Sequence, residues 1–201
     1  QGFILLGDFK GYYASIDAAL ATEMLVSLLE KSGKLSQEDL DQTEWLLKVI
    51  LGDGVGINIG GQPSQNVGIT FAHSIDNYVK TVKSQRFYGR YSDDFYCISE
   101  SREFLEKLSE EITEEAKKYK LTVHPNKTHI ARLDQPFKHL QISYRLTETG
   151  KLVKRINPES VTRERHRLKA YKRLLACGRM NEEEIENAFK SWIDRDRKSV
   201  V

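Results

Sequence analysis

The sequence predicts an α+β fold: an antiparallel sheet backed by helices, followed by a helical C-terminal portion. Three observations carry that expectation. Short apolar runs of strand length, such as GFILLGD and YGRYSDDFYCI, are interspersed with longer stretches of helical spacing. Some strands are joined by helices and others by tight turns, which separates α+β from a regularly alternating parallel sheet. Beyond Pro158 the spacing is helical only.

Taken in order, GFILLGD reads as a buried strand ending at Asp8. After a short loop, Ile16 to Lys31 has helical spacing and stops at Gly33, a residue suited to helix ends. Ser36 with Asp39 three residues on resembles a capping box and opens a second helix, to about Leu51. GDGVGINIGGQP is too rich in glycine for regular structure. A third helix begins at Pro63 or Ser64 and runs to about Val82, with Val67, Phe71, Ile75, Tyr78 and Val79 on its apolar side. Tyr88 to Ile98 reads as strand, tight turn, strand, with Asp93 and Asp94 at the tip. Ser101 opens a long amphipathic helix whose stripe is Leu105, Leu108, Ile112, Ala116 and Tyr119. LTVHP and THIARL are short strand candidates, and FKHLQISYRL with KLVKRI reads as a second hairpin turning at Glu148-Thr149-Gly150. Pro158 marks a break. A basic helix then ends near Gly178, and a last helix, capped by Asn181 with Glu184, carries Ile185, Phe189 and Trp192. The organisation expected is one domain over 1–156 and a helical portion over 157–201.

A chain of 201 residues suits one sizeable domain or a domain with a small appendage. It has no apolar run long enough to span a membrane and no signal-peptide pattern. It starts at Gln1 inside what reads as a strand, so it is expected to be a trimmed piece of a longer protein. Two cysteines, Cys97 and Cys177, make neither a disulfide framework nor a metal-ligand spacing, which favours a reducing compartment, the cytoplasm. The net charge of +2 hides an asymmetry: Ser99 to Tyr119 is acidic, and Lys151 to Arg179 is strongly basic. A block like the second fits either a solvated helix face or a polyanion partner, of which nucleic acid is the most plausible.

The acids are the chemical signal. Asp suits turns, so Asp93-Asp94 reads equally as a solvated hairpin tip. If the first strand neighbours that hairpin, however, Asp8, Asp93 and Asp94 meet at one sheet edge. Three uncompensated carboxylates are costly together unless divalent cations bind between them, and hard cations such as Mg²⁺ prefer carboxylate oxygen. Two ions about 3.5–4 Å apart suit phosphoryl transfer, one activating the attacking hydroxyl and one stabilising the leaving pyrophosphate.

These residues carry a resemblance to reverse transcriptases. GDFKGYYASID resembles the family's first catalytic motif, and YSDDF its tyrosine-x-Asp-Asp box. IGGQPSQN, from Ile59 to Asn66, is similar to the loop-and-helix motif between them, and HPNKTHI to the lysine-bearing segment downstream. FKHLQISY lies where the family keeps its primer-gripping hairpin. The five stand in the family's order, and the resemblance covers roughly Gly2 to Ile156. It implies a polymerase palm with a C-terminal helical thumb, and an RNA-directed DNA polymerase that extends a DNA primer on an RNA template using deoxynucleoside triphosphates. It also implies two Mg²⁺ ions, with Mn²⁺ as a substitute. An accessory protein or a structured RNA is a further expected partner.

Carried over residue by residue, the resemblance makes Asp8, Asp93 and Asp94 the metal-binding acids, with the Phe9 carbonyl as a further ligand. Tyr13 falls at the steric gate under the incoming sugar; its alternative reading is a packing tyrosine. Gly60, Gly61, Ser64 and Gln65 fall where the family lies against the nascent base pair, with glycine allowing close backbone approach and the helix start offering free N–H groups. Lys127 fits the position that protonates the leaving pyrophosphate or steadies the triphosphate; otherwise it is a surface lysine. Arg163, Arg167, Lys169 and Arg173 are the expected phosphate contacts of the thumb, and Phe87, Tyr91 and Phe95 are expected to pack on the sheet.

Departures from the family pattern matter as well. The Ser64-Gln65 pair, where many relatives carry Ser-Pro, resembles bacterial diversity-generating retroelement enzymes and related prokaryotic lineages. Leu140-Gln141 stands where the primer grip carries Leu-Gly. The basic fingers that precede the first motif in the family are absent from this sequence, so the chain alone is expected to be inactive and, with a face exposed, prone to self-association. Two other readings compete: a non-catalytic nucleic-acid-binding palm, and a cyclase of the diguanylate type, whose hairpin carries two glycines where this chain has Tyr91-Ser92.

Overall fold

The structure, a computed structural model, describes residues 2–140, 142–156 and 158–200, with 194–200 by backbone alone. The chain divides into two compact units, Gly2–Ala131 and Arg132–Val201. The expected α+β palm architecture is present, although the units divide inside the expected first domain.

The first unit is built on a sheet of order β2-β3-β1-β4, from β1 (Phe3–Asp8), β2 (Tyr88–Tyr91), β3 (Asp94–Ser99) and β4 (His129–Arg132). β1 runs antiparallel to β3 with Leu5 opposite Cys97 and Asp8 opposite Asp94. β2 closes a hairpin on β3, ending at the pair Tyr91 and Asp94. The run from Ile4 to Asp8 is buried throughout, as a nearly continuous apolar stretch requires when both faces of a strand are covered.

The helices follow their terminal signals. After a single turn, α1 (Tyr12–Ser15), comes α2 (Ala18–Ser32), whose N-cap Asp17 accepts from the Leu20 amide at 3.0 Å. α3 (Gln37–Leu51) has both halves of the Ser36/Asp39 capping box. α6 (Arg102–Lys118) is capped by Ser101 and buries Leu105, Leu108, Ile112 and Ala116 completely. These side chains join Leu5, Phe9, Phe71, Ile75, Phe95 and Cys97 in one core.

Three readings of this unit need correction. Residues 12–15 form α1 rather than a loop, and Ile16 packs into the core ahead of α2. The third helix is not continuous: α4 (Gln62–Phe71) breaks at Ala72, α5 (His73–Asn77) follows, and Tyr78–Val82 is a π-helical turn. Val67, Phe71, Ile75 and Val79 stay buried across these breaks, so the apolar stripe survives while the backbone adjusts to bring Asp76 onto Tyr88 and Arg90. LTVHP contributes only a single bridge, Val123 to Phe9, instead of a strand.

The second unit holds a three-stranded antiparallel sheet, β5 (Phe137–His139), β6 (Ile142–Leu146) and β7 (Leu152–Ile156), followed by α7 (Pro158–Ala176) and α8 (Glu182–Val200). FKHLQISYRL is therefore two strands instead of one. The chain reverses around Leu140, which adopts φ 48°, and Phe137 stacks on its cross-strand partner Tyr144 at 5.7 Å. Gln141, the other half of the expected primer-grip pair, lies outside the described residues. Asn181 and Glu184 cap α8 reciprocally, each amide reaching the other's side chain at 2.8 Å. Among the described residues no helix is long and apolar enough to cross a membrane.

Candidate active site

Asp8 and Asp94 face each other across neighbouring strands because each occupies the last position of the β1–β3 ladder. Asp93 sits beside them in the hairpin turn, and its carbonyl accepts from the Phe9 amide at 3.0 Å. The backbone thus brings the three acids to one end of the sheet. Phe9 serves as an anchor: its ring is buried against Tyr12 and Phe95, with centroids 5.7 and 5.3 Å away.

Charge at this end of the sheet is only partly balanced. Burial, then the charges of Asp93 and Asp8, raise the Asp94 carboxyl above the usual carboxylate range. Asp8 is itself buried and pairs through Oδ2 with the Lys127 ammonium at 2.9 Å. That hydrogen bond to Asp8, with the nearby Asp94 and Asp93 charges, raises the Lys127 pKa and keeps it protonated. The segment that carries Lys127 docks by main chain, since the His124 amide donates to the Asp8 carbonyl at 2.7 Å.

Three carboxylates supply the hard oxygen donors that Mg²⁺ takes, and their mutual repulsion at Asp94 is what a divalent cation relieves. The donor set therefore fits. Asp8 is engaged by Lys127, and among the described residues no three His, Cys, Asp or Glu side chains gather as a metal cluster.

Beside the acids lies a cleft of about 410 Å³, lined by Tyr13, Ile59, Gly60, Gln65, Ile69, Arg90, Tyr91 and Ser92. Of the predicted substrate residues, Tyr13, Gly60 and Gln65 line it; Gly61 caps α4 from just outside the lining, and Ser64 is buried. Gly60 has φ 125°, a conformation open to glycine and little else. No side chain caps α4 at Gly61, so its first N–H groups remain available. The Tyr13 ring rests on Gly68, where a Cβ would stand 2.6 Å from it. Tyr12 fixes this contact from behind by donating to the Gly68 carbonyl at 2.7 Å, and burial pushes its phenol up to about 12.

Tyr91 is exposed at the mouth of the cleft and Phe87 is exposed too, so of the three aromatics expected to pack on the sheet only Phe95 is buried.

The residue that sequence reasoning missed is Arg90. Its guanidinium, 6% exposed, pairs with both Asp76 oxygens, through Nε at 2.9 Å and Nη2 at 2.7 Å. It also donates to the Ile69 carbonyl at 2.8 Å and the Ser92 carbonyl at 2.7 Å. A signal existed: strand alternation puts Arg90 on the same face as the buried Tyr88, and a buried guanidinium requires a carboxylate.

In the second unit α7 exposes Arg163, Arg165, Arg167, Lys169, Lys172 and Arg173. Helical spacing at ~100° per residue separates the predicted contacts into Arg163 with Arg167 and, centred about 120° away round the helix, Lys169 with Arg173. Arg165 and Lys172 extend the second group into a stripe. Arg167 is already engaged, by Glu164 at 3.1 Å and the Tyr171 hydroxyl at 2.7 Å.

A family model described as reverse transcriptase (RNA-dependent DNA polymerase) matches residues 57–161. No curated protein sequence matches the chain. Among solved structures, telomerase from Candida albicans in complex with a TWJ fragment of telomeric RNA is 13% identical, with a TM-score of 0.59 over 77% of this chain and 30% of that one. The apo telomerase from Candida tropicalis is 12% identical, with a TM-score of 0.62 over 76% of this chain and 32% of that one. A form of it truncated from the C-terminal domain is 14% identical, at 0.59 over 77% and 35%. The chain thus spans about a third of the length of these structures, and the likeness is one of fold.

Proposed function

The chain belongs to the reverse transcriptase family, and from that premise we propose that it is the catalytic palm, with thumb elements, of an RNA-directed DNA polymerase. The observation that carries the proposal is the pairing of Asp8 with Asp94 across β1 and β3, with Asp93 adjacent, beside a cleft floored by Tyr13. Residues 1–156 are assigned to the palm and 157–201 to the thumb. The substrates are deoxynucleoside triphosphates, a DNA primer and an RNA template. An accessory protein or structured RNA, a retroelement context and a cytoplasmic setting belong to the same proposal, as does kinship with prokaryotic lineages.

Asp8, Asp93 and Asp94, with the Phe9 carbonyl, would hold two Mg²⁺ ions, or Mn²⁺ in their place. Bound there, the metals supply charge stabilisation for an in-line displacement at phosphorus. The residues of the chain do the remaining work. Tyr13, in the cleft lining, lies under the sugar and excludes a 2′-hydroxyl by contact. Gly60 and Gly61 let the backbone approach the nascent pair, with Ser64 setting the start of α4 from within and Gln65 facing the cleft. Lys127 holds a proton at Nζ that it can give to the departing pyrophosphate. On α7, Arg163, Arg167, Lys169 and Arg173 are assigned to phosphate contacts, of which Lys169 and Arg173 share the stripe with Arg165 and Lys172.

The 201 residues alone are proposed to bind nucleic acid but extend a primer little. Arg90 at the cleft is engaged by Asp76 and Lys127 beside the acids by Asp8, and the grip on the triphosphate is assigned to further groups. Self-association is part of this proposal: Trp45 and Val49 on α3 are strongly exposed.

The test is primer extension on an RNA template by the protein carrying this chain. Asp93→Asn should lower the rate by at least about 10³-fold, or ~4 kcal/mol, with the fold intact. Folded Asp93→Asn protein that extends at near-native rate sinks the proposal, and synthesis of a guanylate dinucleotide in the control would point to the cyclase reading instead.

A further inference from the structure

Arg90 lies two residues before the turn that leads into Asp93 and is used by nothing in the mechanism above. Its four hydrogen bonds leave on two edges of the guanidinium. One edge, Nε with Nη2, closes on Asp76 at 2.9 and 2.7 Å, and Tyr88 holds the same carboxylate at 2.7 Å. The other edge, Nη1 with Nη2, reaches the carbonyls of Ser92 at 2.7 Å and Ile69 at 2.8 Å. Burial disfavours the guanidinium's charge, but the hydrogen bond and charge of Asp76 more than offset it and raise the pKa.

Ser92 needs such a hold. It stands in the left-handed region, φ 56°, where a serine is strained, and it carries the peptide that leads into Asp93. The Asp93 carbonyl then accepts from the Phe9 amide, next to Asp8. One continuous set of bonds therefore runs from α5 through Arg90 and the Ser92 turn to the first strand's acid. Arg90 lines the cleft, yet four of its five N–H groups are already committed to the protein.

We propose that Arg90, clamped by Asp76, is a positioning residue that fixes the Ser92 turn and so sets Asp93 and Asp94 against Asp8. This rests on the polymerase reading for its kinetic consequence but not for its structural one. A planar fork can serve both edges at once, whereas a lysine ammonium can keep the ion pair with Asp76 and cannot also hold the Ser92 and Ile69 carbonyls. Arg90→Lys consequently separates positioning from mere stability.

In the protein carrying this chain, Arg90→Lys is expected to fold with a cooperative transition and to melt higher than Arg90→Ala, which loses the buried ion pair as well as the two carbonyl bonds. Its kcat for extension should fall at least tenfold, with the deoxynucleotide KM changed less than threefold. Hydrogen exchange at the Phe9 amide, which the Asp93 carbonyl protects, should accelerate at least tenfold while the Leu5 amide stays unchanged. A kcat within twofold of wild type, or unaltered exchange at Phe9, overturns the proposal. If Arg90→Lys does not fold, Asp76→Asn carries the same readouts, since it loosens the guanidinium without removing it. Should Asp93→Asn leave extension untouched, the polymerase reading has failed, and exchange at Phe9 alone decides the role of Arg90.

Discussion

The two units put their functional groups in opposite settings. In Gly2–Ala131 the carboxylates hang on a sheet whose strands and helices share one dense core, and the cleft beside them is braced by buried polar bonds from Arg90 and Tyr12. In Arg132–Val201 the described buried side chains are Phe137, Ile142 and Glu164, and the cations of α7 stand exposed. The difference follows from what each chemistry tolerates. Displacement at phosphorus depends on reacting atoms being aligned, and misplacement by about 1 Å can cost ~10²-fold. Attraction to a phosphate backbone depends on charge and falls off over a Debye length of about 8–10 Å, so it accepts mobile side chains.

The sharpest way to break the comparison is in the apolar packing. Leu105, completely buried under the first unit's sheet, should cost about 2–5 kcal/mol when changed to alanine. Leu175 on α7, 37% exposed, should cost within ~1 kcal/mol. Urea unfolding of the two variants measures both, and equal losses would mean that the second unit is as tightly built as the first.

A smaller effect is expected at Tyr13. With its ring pinned on Gly68, Tyr13→Ala should open the cleft without disturbing the sheet, and admit ribonucleotides about tenfold more readily, ~1.4 kcal/mol in relative kcat/KM. Competition between the two sugars reads this directly. An unchanged preference would return Tyr13 to a packing role.

Charge in the second unit should behave additively. Replacing Lys169 and Arg173 together by glutamine should reduce the log–log salt slope for an RNA–DNA duplex by roughly 1.8, at ~0.9 for each phosphate left without its cation. Arg167→Gln alone should change it less, because Glu164 and Tyr171 already hold that guanidinium. The same slope in the double variant and wild type would make α7 a solvated face.

How much of this could be read from the sequence also differs between elements. β1, the hairpin around Asp93, and the capped helices α2, α3 and α6 were legible because each has a local cause: an apolar run, a turn residue, or a cap within three or four positions. The candidate acids could be named, but their meeting depended on β1 pairing with β3, a long-range register that no local pattern encodes. The break at Ala72 was hidden because its apolar stripe keeps helical period across it, and only the demand of Arg90 and Tyr88 for Asp76 marks the place. FKHLQISYRL concealed its reversal at Leu140 for the opposite reason: both halves have strand propensity, and nothing between them is a common turn residue. On α7, composition announced the charge but not its division between two sides of the helix.

The smallest expected effect tests whether the first unit's rigidity extends to its periphery. Asp17 caps α2 through Leu20 and pairs with Lys120 at 2.6 Å, joining α2 to the turn after α6. The Leu20 amide first, and then Lys120, hold its carboxyl below the usual carboxylate range. A depressed pKa means that the folded state binds the proton more weakly than the unfolded chain. The stability it contributes is therefore fully present above the unfolded value of about 3.9, and is lost as pH falls through the lower folded value. Asp17→Ala should cost ~0.5–1 kcal/mol at neutral pH, the usual worth of a helix cap with an exposed ion pair adding little. The gap between variant and wild type should narrow only below about pH 4, as protonation removes the charge that the amide and ammonium favour. Unfolding curves taken from pH 7 downward measure the gap. A difference that closes already near pH 6, or that never appears, would show that the cap is not coupled to the core and that the rigid region ends short of Asp17.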